Sequence, residues 1–139
     1  MEQYVILTVG KELFGLKIYA IDEIIKMKPI VEIPNSHTFI EGVINLRGRI
    51  VPVVSLSKRI GNGVYTATKQ TRIVVAEFNG EKIGLIVDKV SKVTSLQSID
   101  EVSEVSGNNH KSLFEGVAHS EIGIVSILNM EEVLKYGGE

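Results

Sequence analysis

The chain has 139 residues, 44% of them hydrophobic and 23% charged, with a formal net charge of −2 and no cysteine. That is room for one ordinary domain, or two very small ones sharing a core, with the composition of a soluble globular protein. The missing thiols exclude a disulfide framework, a cysteine nucleophile and a thiolate metal site, and the near-neutral charge argues against a broad nucleic-acid or anionic-membrane surface. Val, Ile and Leu dominate the apolar set while aromatics make up 6%, which favours a β-rich core of branched aliphatics. Met1-Glu2-Gln3-Tyr4 lacks the basic region and apolar core of a secretory signal. No apolar run approaches the ~20 residues that span a bilayer. The expectation is a cytoplasmic protein without membrane insertion.

Residues 5–9 and 13–18 read as strands joined through Gly10-Lys11. The stretch Gly42-Val43-Ile44-Asn45-Leu46-Arg47-Gly48-Arg49-Ile50-Val51-Pro52-Val53-Val54 reads as two apolar strands folded back at Arg47-Gly48, where glycine supplies positive φ. Pro52 has no N–H to give a ladder, which predicts an edge strand or a bulge. Ser55 is a helix N-cap, and the short helix after it stops at Gly61. Residues 61–71 are polar and link to a second pair of strands, 73–78 and 82–87, joined by the hairpin signal Asn79-Gly80. Near the end, Asn129 caps and Glu132 completes a capping box, predicting a helix from Glu131 to about Tyr136.

The chain also repeats itself. Laid on one another, the two hairpins put Glu12 on Glu81, Gly15 on Gly84 and Leu16 on Leu85; Ile18, Ile21 and Ile24 then fall on Val87, Val90 and Val93. A second match puts Gly42-Val43 on Gly116-Val117, Ile50-Val51 on Ile124-Val125 and Ser55 on Asn129, at an offset five residues longer. The extra residues fall in the polar, aperiodic stretch 106–112, which reads as a loop. Two matches in the same order make duplication the better reading, with halves at residues 1–62 and 63–139 inside a single domain, 1–139. Each half holds roughly five short strands, the size of a small closed barrel. A barrel of about 60 residues is marginal alone, so the two are expected to pack together, with terminal strands or helices free to cross over.

The paired arginines occur only in the first half; the second has Ser120, Glu121 and Ile122 at the matching turn. Two readings stand side by side. Arg47 and Arg49 keep an exposed turn soluble, or a pre-organised, multi-donor guanidinium grips carboxylates or carbonyls on a partner. Catalytic and metal sets are not in evidence. His37, His110 and His119 are scattered without ligand spacing, Gly61-Asn62-Gly63 lacks the ending of a phosphate loop, and no nucleophile elbow occurs. The acid pairs Asp22-Glu23 and Asp100-Glu101 read as surface caps. No enzyme activity, cofactor or metal is expected. The rival binding class is a small nucleic-acid-binding barrel using Lys58-Arg59, Lys69 and Arg72; the net charge and the absence of aromatic rows speak against it.

Residues 42–56, preceded by Phe39-Ile40-Glu41, resemble the signature of the CheW adaptor family of bacterial and archaeal chemotaxis. Gly15-Leu16-Lys17-Ile18 with Ile21-Asp22-Glu23-Ile24 resembles its N-terminal block, and Gly84-Leu85-Ile86-Val87-Asp88-Lys89-Val90 its central block. The resemblance implies an all-β fold of two SH3-like five-stranded barrels around a groove, with short helices including one at the C-terminus. It implies an adaptor that couples the cytoplasmic tip of a chemoreceptor (methyl-accepting chemotaxis protein) to the regulatory domain of the histidine kinase CheA, recruited to membrane-associated receptor arrays. It places Arg47 at the signature arginine of receptor coupling, Ile21 and Glu23 near the receptor-facing surface, and Val87 and Val93 near the groove. Period-2 valines are equally a core pattern, and Ile21 shares that ambiguity. No short motif marks the kinase contact.

Overall fold

In a computed structural model of the protein, the described residues are 2–97, 99–101 and 113–135. The expected loop at 106–112 and Tyr136, the last residue of the expected C-terminal helix, lie outside them. In chain order the elements are β1 (Gln3–Val9), β2 (Glu12–Lys17), a 3-10 turn (Ile18–Ala20), β3 (Ile21–Lys26), β4 (Ile40–Leu46), β5 (Arg49–Ser55), α1 (Leu56–Arg59), β6 (Arg72–Phe78), β7 (Glu81–Val87), β8 (Lys89–Ser95), β9 (Asp100–Glu101), β10 (Phe114–Ser120), β11 (Gly123–Leu128) and α2 (Met130–Leu134). The protein is mostly β, as the sequence suggests, with two short α-helices among the described residues.

The strands form two sheets of like topology. Sheet 1 runs β3-β6-β7-β5-β4; sheet 2 runs β8-β1-β2-β11-β10, extended by the two-residue β9. Each sheet thus holds a hairpin from the opposite end of the chain, β6–β7 in one and β1–β2 in the other. These hairpins enter through short parallel ladders, Val53 to Ser55 beside Gly84 to Ile86 and Val125 to Ile127 beside Leu13 to Gly15. Gly84 and Gly15, matched in sequence, sit in these ladders for a shared reason. A Cβ at Gly84 would lie 2.7 Å from Ile73 and 2.8 Å from Val53, and one at Gly15 would lie 3.0 Å from Ile127.

Burial explains the sequence pattern. Residues of the exchanged hairpins alternate between a core inside their own sheet and a core shared by both sheets. Ile73, Val75 and Ile86 join Ile44, Val51 and Val53 inside sheet 1. Tyr4 and Ile6 join Ala118, Val125 and Ile127 inside sheet 2. The intervening Leu7, Phe14, Leu16, Val74, Ile83 and Leu85 meet in the shared core. Strands buried on both faces therefore read as continuous apolar runs. The edge strands β3 and β8 carry charged residues at exposed positions, Asp22 and Lys26 on one and Lys89 and Lys92 on the other, with Ile24 and Val93 exposed among them.

Pro52 departs from the edge or bulge expected of it: β5 lies between β4 and β7. Its partner Val43 exchanges both backbone hydrogen bonds with Val31 instead, so Pro52 faces away from β4, just outside the parallel ladder, which begins at Val53. No N–H is needed there. The bulge sits on the facing strand, between Ile40 and Gly42.

Both caps form as expected. Ser55 Oγ accepts from Lys58 N at 3.2 Å and Asn129 Oδ1 from Glu132 N at 3.4 Å. Arg59, on α1, reaches across to α2 and donates to the Glu132 and Val133 carbonyls at 2.6 and 3.1 Å, its guanidinium stacked 4.8 Å from the Phe39 ring centre. Those carbonyls belong to the last turn of α2, where cationic side chains commonly cap a helix end. Arg59→Ala is expected to lower unfolding stability by about 1.5 kcal/mol, read as a lower urea midpoint at unchanged slope. An unchanged midpoint would mean that Val133 and Leu134 hold α2 without the arginine.

Candidate functional site

β4 and β5 pair as far as Leu46 and Arg49, leaving Arg47 and Gly48 as a two-residue connection. Their φ values are 51° and 83°, and Asn45 Oδ1 accepts from Gly48 N at 2.9 Å. Positive φ at both central residues is the type I′ arrangement, whose twist suits antiparallel strands. The other hairpin of sheet 1 builds the same turn with Asn79 and Gly80, at 52° and 80°. Asparagine tolerates this backbone. Arginine does so at a cost of about 1 kcal/mol or more.

Arg47 is well exposed, its side chain at 67%, and pairs with the Glu23 carboxylate on β3. That hydrogen bond first, and the negative charge second, push the guanidinium pKa up from its already high value. Glu23 reaches this place beside a bulge: the ladder with β6 shifts register between Ile21 and Glu23. The extra residue, Asp22, is tied to Lys82 on β7 at 2.6 Å. Both acids are thus in ion pairs rather than acting together as a dyad. Ile24, Arg49 and Ile50 are exposed on the same strands, Ile50 at 66%.

Of the residues singled out in the sequence, the fold brings Arg47 and Glu23 into contact. Ile21 is half-buried against the shared core at the start of β3. Val87 is buried in that core, at 1% exposure, so the period-2 packing reading holds for it and it presents no surface. Val93 is exposed at 49%, on the edge strand β8 of sheet 2, opposite Val5.

Sequence reading missed a second patch. The topology matches β3 to β8 and the β4–β5 hairpin to β10–β11, so Glu23 and Arg47 correspond to Lys92 and Glu121. The charges are exchanged. Lys92 and Glu121 line one cavity of about 230 Å³. The apolar neighbours are kept: Ile24 and Ile50 correspond to Val93 and Ile124, the latter 60% exposed. The alignment of the two halves already contained this signal, in Glu23 falling on Lys92.

The cations suggested for nucleic acid are mostly engaged within the molecule. Lys58 pairs with Glu41 at 2.6 Å, Arg59 holds α2, and Arg72 donates to the Lys69 and Thr71 carbonyls, each at 2.9 Å. Among the described residues no group of His, Asp and Glu is arranged to hold a metal ion, and no helix is long and apolar enough to cross a membrane. His37 lies against the Phe39 ring, centres 3.9 Å apart.

The family model of the CheW-like domain matches residues 3–137. A chemotaxis protein CheW of Helicobacter pylori is 30% identical over 135 residues, covering 96% of this chain and 81% of that protein. The chemotaxis protein CheW of Bacillus subtilis is 26% identical over 135 residues, covering 96% of this chain and 86% of that protein. In structure the chain resembles the scaffolding protein TtCheW from Thermoanaerobacter tengcongensis, with a TM-score of 0.87, 35% identity and coverage of 99% and 90% of the two chains.

The backbone at Arg47 makes a prediction about stability alone. Arg47→Gly is expected to keep or raise the urea midpoint, whereas Arg47→Val lowers stability by about 1–2 kcal/mol, because a β-branched side chain is least tolerant of this φ. Equal losses in both would show that the Glu23 ion pair, not the backbone, sets the energy of the turn.

Proposed function

The chain belongs to the CheW family, and on that premise we propose that it is a non-enzymatic, cytoplasmic adaptor coupling chemoreceptors to the histidine kinase CheA. It binds the cytoplasmic tip of the receptor on one surface and the regulatory domain of the kinase on another, and is recruited through them to receptor arrays at the membrane. The observation that carries this reading is Arg47. It occupies a turn position that asparagine fills without strain elsewhere in the same sheet, and strain kept at one exposed residue points to a use for its side chain.

Arg47 then supplies a charged donor to the receptor, held in place by Glu23, with Ile21 and Ile24 alongside on β3. Val93 is proposed to contribute from the edge of sheet 2, and Val87 to act only by packing behind these surfaces. The kinase side is proposed to use the charge-exchanged patch of Lys92 and Glu121. A homologous partner carrying both patch types would present the opposite charge order to each, so related surfaces can alternate end to end. A small displacement at the receptor would pass to the kinase as a shift between packed arrangements.

The test is a reconstituted system of receptor fragment, kinase and adaptor. Arg47→Glu is expected to keep the fold, to weaken receptor binding at least ~10-fold, and to leave the kinase no longer controlled by receptor. Arg47→Glu combined with Glu23→Arg restores the internal ion pair with reversed polarity, and is expected to stay uncoupled. Normal receptor control in the folded single mutant, or rescue by the double mutant, would remove Arg47 from the partner contact.

A further inference from the structure

We infer that the groove between the Ile18–Ala20 turn and α2 is a further docking surface, and that it takes a partner segment whose apolar anchor is flanked by lysine or arginine. The cavity measures about 450 Å³ and spans both sheets. Its apolar lining comes from Ala20, Phe78, Met130 and Leu134, with Tyr19 standing beside it at 71% exposure. None of Arg47, Glu23, Ile21 or Val93 contributes to it, which separates it from the surface proposed for the receptor.

Its rim carries three carboxylates, Glu77 from β6, Glu115 from β10 and Glu131 from α2, against the single cation Lys17. Lys17 is already paired with Glu115 at 2.9 Å and sits 6.0 Å from the Tyr19 ring centre. Glu77 and Glu131, from different elements, have no ion-pair partner among the described residues. A purely apolar occupant would desolvate both carboxylates without compensation, and an acidic one would be repelled. A basic flank to an apolar anchor answers both.

The topologically equivalent groove beside α1 is lined by the chain's own polypeptide. It also measures about 450 Å³, with Thr8, Ser57 and Asp88 at the positions matching Glu77, Glu131 and Tyr19. There the connection after α1 runs along the cleft, with Asn62 N donating to the Ser57 carbonyl at 2.8 Å and Ser57 Oγ donating to the Gly63 carbonyl at 2.8 Å. Beside α2 no described residue takes that place.

The experiment pans a random displayed-peptide library on the full-length chain and measures the recovered peptides against variants. Recovered peptides are expected to share an aliphatic or aromatic residue with lysine or arginine close on either side. They should bind the double variant Glu77→Lys with Glu131→Lys at least ~10-fold more weakly, and bind Arg47→Glu as they bind the native chain. The same peptides with lysine and arginine changed to glutamate should lose the native chain and gain the double variant. Peptides indifferent to the double variant, or lost with Arg47→Glu, would overturn the proposal, as would recovery of none. Self-association of the native chain abolished by the double variant would assign the groove to a second copy instead.

Discussion

The hairpins β1–β2 and β6–β7 are apolar on both faces, and one face of each enters a single cluster, with Leu7, Phe14 and Leu16 from one and Val74, Ile83 and Leu85 from the other. Each such fully buried side chain contributes about 1.5–3 kcal/mol relative to exposure. Leu56 of α1 and Val133 of α2 belong to the same cluster, so both helices are anchored to it. Neither sheet can shift without disturbing the shared core, because interiors packed at crystal density do not deform continuously. The Arg47 turn on sheet 1 and the Glu121 turn on sheet 2 are therefore held at a fixed separation and orientation. For a protein proposed to act by holding two partners, that fixed relation is what keeps the ordering cost of assembly low.

Local chemistry was legible in the sequence because it is local. Asn79-Gly80 sets its hairpin, Ser55 and Asn129 cap their helices, and Gly15 and Gly84 align because each backs onto branched side chains of a neighbouring strand. What the sequence does not encode locally is which sheet a strand joins. The β1–β2 signal is the same whether the hairpin stays with β3 or pairs with β8 and β11, since alternation specifies faces and not neighbours. Pro52 illustrates the consequence. Its missing N–H suggested an edge, but Val43 has turned its own hydrogen bonds to Val31, and an interior position became acceptable. Val87 illustrates another: on a strand buried from both sides, a groove residue and a core residue look alike in one dimension.

The Arg47 turn was found from sequence as an asymmetry between halves, and the structure makes the asymmetry chemical. The second turn does not simply lack arginine. It carries Glu121 in that place, with Lys92 where Glu23 stands, while the exposed aliphatic neighbours persist. Solubility alone would be served by either sign of charge at either turn. Exchanged signs within a preserved apolar frame give the two ends opposite electrostatic identities, so that a related partner is discriminated by orientation as much as by contact.

Backbone strain bears on the same point from an independent direction. A turn selected only to reverse the chain has a ready solution in Asn-Gly, and this protein uses it at residues 79 and 80. At residue 47 the same φ is imposed on a long cationic side chain whose partner among the described residues, Glu23, lies on a bulged strand held by a further ion pair, Asp22 to Lys82. Lys82, Asp22, Glu23 and Arg47 thus form a chain of contacts from β7 through β3 to the β4–β5 turn that ends at an exposed guanidinium. A solubilising charge needs no such support. An arginine that must meet a partner in one geometry does, because positioning it beforehand removes much of the side-chain entropy that binding would otherwise have to overcome.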